Sequence, residues 1–327
     1  MALDIKEALE KFNGLKALVI GDVMIDSYIW GNVDRISPEA PVPIVDVNKK
    51  ESRMGGAANV AKNLHFLGAE PVLCAVIGND AEAETFLDLC DSLGISKNGL
   101  IQSTERITTV KHRVIASAQH VLRIDNEDAR PLKPTDTSLL LERIKKLADD
   151  ADVIIFEDYD KGVITPELIS DVVKIAKEKG IPTTVDPKKR NFLDYVGVTL
   201  FKPNLKEMRE GLKFDFDGDV IEEVKAASKK LKAKMDNTHT MVTLSEHGVY
   251  ITDHTNEAHI PAHKREIADV SGAGDTVISI ASLALAIGLP MEKVASLANL
   301  GGGLVCEHVG VVPIDKQKLL EEASKKL

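Results

Sequence analysis

What this chain has little of narrows the field before any motif is read. Basic residues are outnumbered, 41 Lys and Arg against 51 Asp and Glu, for a formal charge of −10. No basic run interleaved with aromatics offsets that balance, and aromatics make up only 4%. A general nucleic-acid binder is excluded, so any phosphate site must be local rather than a broad positive field. Cysteine is scarce too: Cys74, Cys90 and Cys306 lie scattered without metal-ligand spacing and suit a reducing, cytoplasmic setting. The longest apolar stretch, near Val277 to Leu289, falls short of the ~20 residues a membrane span needs. MALDIKEALEKF at the start is amphipathic and acidic, unlike a signal peptide. No G-x-x-x-x-G-K-[ST] occurs, which excludes a P-loop NTPase. Gly-Asp-Val-Met-Ile-Asp, following Ala17–Ile20, lacks the glycine spacing of a dinucleotide fingerprint. The histidines are dispersed, with no metal cluster and no Ser-His-Asp order.

What is present is a soluble composition with apolar content enough for a sizeable core, 44% of 327 residues. Short β-rich runs (17–20, 72–77, 153–156, 183–185, 241–244) alternate with helical patterns (57–67, 81–93, 138–148, 166–178, 221–234). That alternation predicts an α/β fold with a mostly parallel sheet covered on both faces. Two segments break it. Residues 29–48 are extended and proline-bearing, and 108–125 alternates around a Ser117-Ala118-Gln119 turn as a half-exposed hairpin does. Strands from about 26–53 and 105–125 are expected to pair into a small β sheet, a lid or a subunit contact, on one domain spanning 1–327. A long exposed edge there predicts a homodimer through the lid.

The most telling stretch is Asp269-Val270-Ser271-Gly272-Ala273-Gly274-Asp275, running into an apolar helix. Its glycines let several N–H groups point at one spot, and the helix adds the positive end of its dipole, so an anion site is predicted. A carboxylate beside an incoming phosphate repels it. Asp275 is therefore read either as a plain cap or as a base for the attacking hydroxyl. Gly55-Gly56 opens the helix of Asn59, either to let a ligand approach or to pack. Asp22 and Asp26 follow the first strand, where open α/β sheets bind ligands, and suit sugar hydroxyls or solvated turns. Asn204 and Glu207, three apart, fit a hydrated Mg²⁺ or an N-cap box.

Together, GGAANVAKNLHFLG, NLKE and DVSGAGD, in that order, resemble the ribokinase-like (PfkB-type) carbohydrate kinases over essentially the whole chain. The resemblance implies a three-layer sandwich with a β lid, and ATP- and Mg²⁺-dependent transfer to a sugar. It implies Asp275 as base, the amides of Gly272, Ala273 and Gly274 as anion hole, and Asn204 and Glu207 as organisers of Mg²⁺ and phosphates. Ser245 and Gly248 would face the nucleotide, Asn299 would lie near the adenine, and Asp269 would sit by a monovalent cation such as K⁺.

GDVMIDSYIWGNVDRISPEAPVPIVDV, TTVKHRVIASAQHVLRID, EDYDKGVI and VDPK are similar to the kinase half of ADP-heptose synthesis enzymes, which phosphorylate C1 of a heptose 7-phosphate. Relatives of that type can carry a following nucleotidyltransferase, and a stand-alone kinase is expected here. Glu157 and Asp160 depart from that pattern, where serine and alanine are usual, and are expected to add negative charge near the sugar phosphate. Candidate cations for that phosphate are Lys111 and Arg113, on one face of a lid strand, then Lys161, Lys188, Arg123, Lys189 and Arg190. Asp158 joins the expected sugar site. The alternatives are another sugar or sugar-phosphate kinase, such as a ribokinase or hexose-phosphate kinase, and a catalytically idle binder of sugar or nucleotide.

Overall fold

The computed structural model describes residues 4–116 and 119–327. The strands, in chain order, are β1 Lys16–Gly21, β2 Val23–Ile36, β3 Pro43–Gly56, β4 Glu70–Cys74, β5 Val76–Gly78, β6 Ile101–Ser103 and β7 Val110–Ala116. They continue with β8 Gln119–Asn126, β9 Val153–Glu157, β10 Thr183–Asp186, β11 Leu200–Phe201, β12 His239–Thr243, β13 Val249–Thr252 and β14 Glu257–Ile260. The helices are α1 Ile5–Glu10, α2 Ala57–Phe66, α3 Ala81–Leu93, α4 Pro134–Leu147 and α5 Pro166–Lys179. After them come α6 Leu205–Leu212, α7 Ile221–Met235, α8 Ala273–Ala286, α9 Met291–Val305 and α10 Lys316–Lys326.

The main sheet runs β14-β13-β12-β11-β10-β9-β1-β4, parallel from β4 to β12 and closed by antiparallel β13 and β14. Apolar residues alternate between its faces. Ala17, Val19, Val153 and Ile155 pack under α2, α8 and α9; Leu18, Ile20, Ile154 and Phe156 pack under α4, α5 and α7. This is why β1 and β9 read as unbroken apolar runs: both faces are covered. The result is three layers, as expected. The expected strand 72–77 is divided, because β4 joins the main sheet while β5 pairs with β6.

A second sheet, β3-β2-β7-β8, stands beside the first. Its β2–β7 pair is parallel and its outer pairs are antiparallel. The turn expected at Ser117-Ala118 lies outside the described residues. Asp26, Tyr28, Lys111, Arg113 and Arg53 share one face by register and alternation. The opposite face carries Leu122 and Ile124, each half exposed. Among the described residues no helix is long and apolar enough to cross a membrane.

Candidate active site

The parallel strands deliver their carboxyl ends to one place, at the start of α8. Gly272, at φ +79, turns the chain into that helix in a conformation side-chain-bearing residues rarely adopt. Asp269 laces the turn: it accepts from the Ser271 N–H and hydroxyl at 2.9 and 2.8 Å and from the Gly310 N–H at 2.9 Å. Burial works against its charge, but these donors hold its carboxyl below the ordinary value. Oδ1 thus carries two donors and Oδ2 one, so the acid expected beside a monovalent cation also clasps its own loop.

Asp275 is the third residue of α8 and is almost fully buried. One oxygen accepts from Asn59 Nδ2 at 2.6 Å, the other from the Tyr159 hydroxyl at 3.0 Å. Burial pushes its carboxyl up to about 6, with Asp186 adding to the rise while Asn59 and Tyr159 oppose it. Asn59 Oδ1 is buried and has no partner among the described residues. A base of near-neutral basicity thus lies beside an unused acceptor, in a geometry that suits a hydroxylated ligand.

Two expected sugar contacts prove to be loop anchors. Asp22 accepts the N–H groups of Tyr159, Lys161 and Val163, each at 3.0 Å, and is 1% exposed. Asp158 accepts from the Tyr195 hydroxyl at 2.8 Å, Asn191 Nδ2 at 3.1 Å and the Asp160 N–H at 2.8 Å. Its carboxyl is pushed up to about 6 by burial. A buried carboxylate already carrying three donors has little left for a ligand, and both acids shape the 158–163 loop instead. Asp26 remains at the pocket, bound by Arg113 at 2.5 Å. Gly55 lies against it so closely that a Cβ would stand 2.6 Å from Asp26 Oδ2, and at Gly56 one would fall on the Asp22 carbonyl oxygen. Neither glycine could carry a side chain without a shift of its neighbours.

On the other side of α8, Asp186 and Lys202 form a buried ion pair at 2.7 Å. A Cβ on Gly274 would come within 3.6 Å of the carboxylate and 4.0 Å of the ammonium, so the pair borders the turn. Lys188 reaches Glu207 at 2.6 Å and Asp186 at 4.0 Å, over the Tyr159 ring. Asn204 and Glu207 make the full capping box, each side chain accepting the other's backbone N–H at 2.9 and 2.8 Å. Asn204 is thus committed to the cap, whereas Glu207 keeps its second oxygen on Lys188. Two carboxylates around one ammonium is an arrangement a hydrated divalent cation could take over, needing few protein ligands. Tyr159, Asp186 and Lys202 escaped the sequence reading. Their signals were position at the carboxyl ends of strands and, for Tyr159 and Asp186, a place inside the EDYDKGVI and VDPK stretches.

Glu157 corrects another expectation. It ends β9 between Gly21 of β1 and Asp186 of β10, 1% exposed, and neither oxygen has a partner among the described residues. Burial, then the nearby charges of Asp186 and Asp275, hold its carboxyl well above the ordinary value. Its charged form is therefore disfavoured where it sits. Asp160, at φ +57, accepts the Arg190 N–H. Lys111 and Lys161 converge on Glu127 at 3.2 and 2.8 Å. Arg123 and Lys189 are exposed and paired with Asp125 and Glu210, and Arg190 holds the Ala129 carbonyl.

The residues expected to face a nucleotide also meet. Ser245, at φ +54, and Gly248 bound a turn against the end of β14, where a Cβ on Gly248 would fall on the Ile260 carbonyl oxygen. Asn299 of α9 donates to the Pro261 carbonyl at 3.0 Å, so all three border one segment.

The chain is 39% identical to the bifunctional protein HldE of Syntrophotalea carbinolica over 97% of its length, covering 65% of that protein. It is 40% identical to the HldE of Methylobacillus flagellatus over 93% of its length, covering 62% of that protein. The chain thus spans less than two thirds of these relatives. In fold it resembles phosphofructokinase-2 from Escherichia coli in complex with potassium, at TM-score 0.79 and 18% identity, with 95% of this chain and 99% of that one aligned. Ribokinase from Arabidopsis thaliana, complexed with ribose and ATP, aligns at TM-score 0.73 and 18% identity over 94% of this chain and 99% of that one. The pfkB family carbohydrate kinase model matches residues 15–317, and the chain belongs to that family.

Proposed function

We propose that this chain transfers the γ-phosphoryl group of ATP to the C1 hydroxyl of D-glycero-D-manno-heptose 7-phosphate, giving the 1,7-bisphosphate. One observation carries the chemistry: Asp275, buried with its carboxyl near 6, stands beside the unused Asn59 Oδ1 at the head of α8. Asp275 takes the hydroxyl proton as the oxygen attacks phosphorus, and ADP leaves. The N–H groups of residues 272–274 and the α8 dipole stabilise the charge on the transferred group. Asn59 and Asp26 orient the sugar, and the four-stranded sheet closes over it to exclude water. Ser245, Gly248 and Asn299 form the nucleotide side. Mg²⁺, when bound, neutralises charge across the nucleotide phosphates; Glu207 and Asp186 would hold it, largely through water. Asp269 Oδ2, which accepts only the Gly310 N–H, would be the atom to face a K⁺ ion, and no step depends on one. The heptose assignment is supported by the kinase-half motifs and by the identity to the HldE proteins.

The same reading takes 1–327 as one cytoplasmic kinase domain, dimeric through the β3-β2-β7-β8 sheet. ADP release with MgATP against heptose 7-phosphate, fructose 6-phosphate, fructose 1-phosphate, ribose and fructose tests it. Turnover confined to the heptose phosphate is expected. Turnover only on another sugar overturns the substrate, and silence across the panel overturns the kinase reading.

A further inference from the structure

Two ammoniums reach one carboxylate from separate parts of the fold. Lys111 comes from β7, in register with Asp26 of β2, the acid that the proposed function sets against the sugar. Lys161 comes from the 158–163 loop, its N–H held by Asp22 and its carbonyl by Arg106. Their Nζ atoms meet the two different oxygens of Glu127, at 3.2 and 2.8 Å, with 14%, 19% and 26% of the three side chains exposed. Lys111 also touches Asp125 at 3.1 Å, an acid shared with Arg123. Burial opposes ionisation of Glu127, but the two ammoniums hold its carboxyl below the ordinary value, so it is charged at neutral pH.

We propose that Lys111 and Lys161 form the subsite for a phosphate already present on the acceptor sugar, and that Glu127 is a built-in stand-in which this phosphate displaces. The inference rests on the sugar-phosphate kinase reading and names the residues that would make it selective. Both positions are fixed by backbone contacts, so the ammoniums stay in place when the carboxylate leaves. Glu127 has somewhere to go: it lies on the connection from β8 to α4, beside an open pocket lined by Arg106, Ile107, Asp128 and Arg130. A phosphate replaces one negative charge with nearly two and brings more acceptor oxygens. An unphosphorylated sugar offers neither, so displacing Glu127 for it would leave two half-buried ammoniums unpaired. Glu127 therefore weakens binding of every acceptor, but only a phosphorylated one compensates.

The test is calorimetric binding, without ATP, of heptose 7-phosphate and of the same heptose lacking phosphate, with inorganic phosphate as competitor. Glu127→Gln, with Glu127→Ala as a second variant, should tighten the sugar phosphate about 5-fold, the scale of one partly exposed charged hydrogen bond. Lys111→Met/Lys161→Met should lose at least ~100-fold for the sugar phosphate, the effect of two charged hydrogen bonds, while binding ATP normally. Competition by inorganic phosphate should vanish with it. Lys161→Arg should restore part of the loss. Unchanged affinities in the Glu127 and lysine variants of a protein that does phosphorylate heptose 7-phosphate would overturn the subsite and leave the function standing. If the wild type turns over no heptose phosphate, yet inorganic phosphate binding follows these variants, the subsite stands and the heptose assignment fails.

Discussion

The Tyr159 hydroxyl donates to Asp275 Oδ1 across 3.0 Å, joining residues 116 positions apart. Burial and neighbouring carboxylates hold the phenol far above its ordinary value, so it remains a donor throughout the working range. A donor to a carboxylate stabilises the ionised form and lowers its pKa. Tyr159→Phe should therefore raise the Asp275 pKa and move the acid limb of kcat/KM to higher pH. Activity should fall more at pH 6 than at pH 8, and an unmoved limb would separate Tyr159 from the base.

Asp275→Asn should cut turnover by at least ~10²-fold, the low end of what a positioned base contributes. It should also stabilise the fold at neutral pH. The sign follows from a folded pKa of about 6 against an ordinary 3.8: the carboxyl ionises more readily unfolded, so stability is lost as pH rises from 3.8 to 6. The relief is at most about 3 kcal/mol, because the amide also changes the bonds to Asn59 and Tyr159. Urea midpoints at pH 5 and 7.5 check this, and a less stable variant at pH 7.5 would contradict it.

Glu157→Gln replaces a carboxyl held well above its ordinary pKa by a neutral group of the same shape. Raised pKa again means stability lost as pH rises, so wild type should weaken toward alkaline pH while the variant does not. Denaturation at pH 6 and 9 reads the difference.

Leu122 and Ile124 alternate onto the outer face of β8, 53% and 50% exposed. A dimer through this sheet would cover them. Light scattering at micromolar concentration should give a dimer for wild type and a monomer for Leu122→Asp/Ile124→Asp. A monomeric wild type would remove the dimer.

Much of this was legible in the chain itself, wherever the physics is local. Alternating periods gave the layers, and the glycines before Asp275 marked the turn into α8. The Asn204–Glu207 spacing read equally as cap or metal site, because both put the same side chains three apart. Only the Lys188 ammonium, arriving from beyond β10, showed that Glu207 keeps one oxygen for the site. Asp22 and Asp158 looked like ligand acids because short acids after strands are exposed as often as buried. Three backbone N–H groups closing on Asp22 from residues 159–163 could not be seen from Asp22 itself.

The sequence alone determined the sheet type and the α8 turn, since these follow from neighbours within a few residues. Tertiary structure decided which acids serve as anchors and which are held above their ordinary pKa. Those outcomes depend on burial and on charges brought together by parallel strands, whose partners lie tens to hundreds of residues away and leave no local pattern.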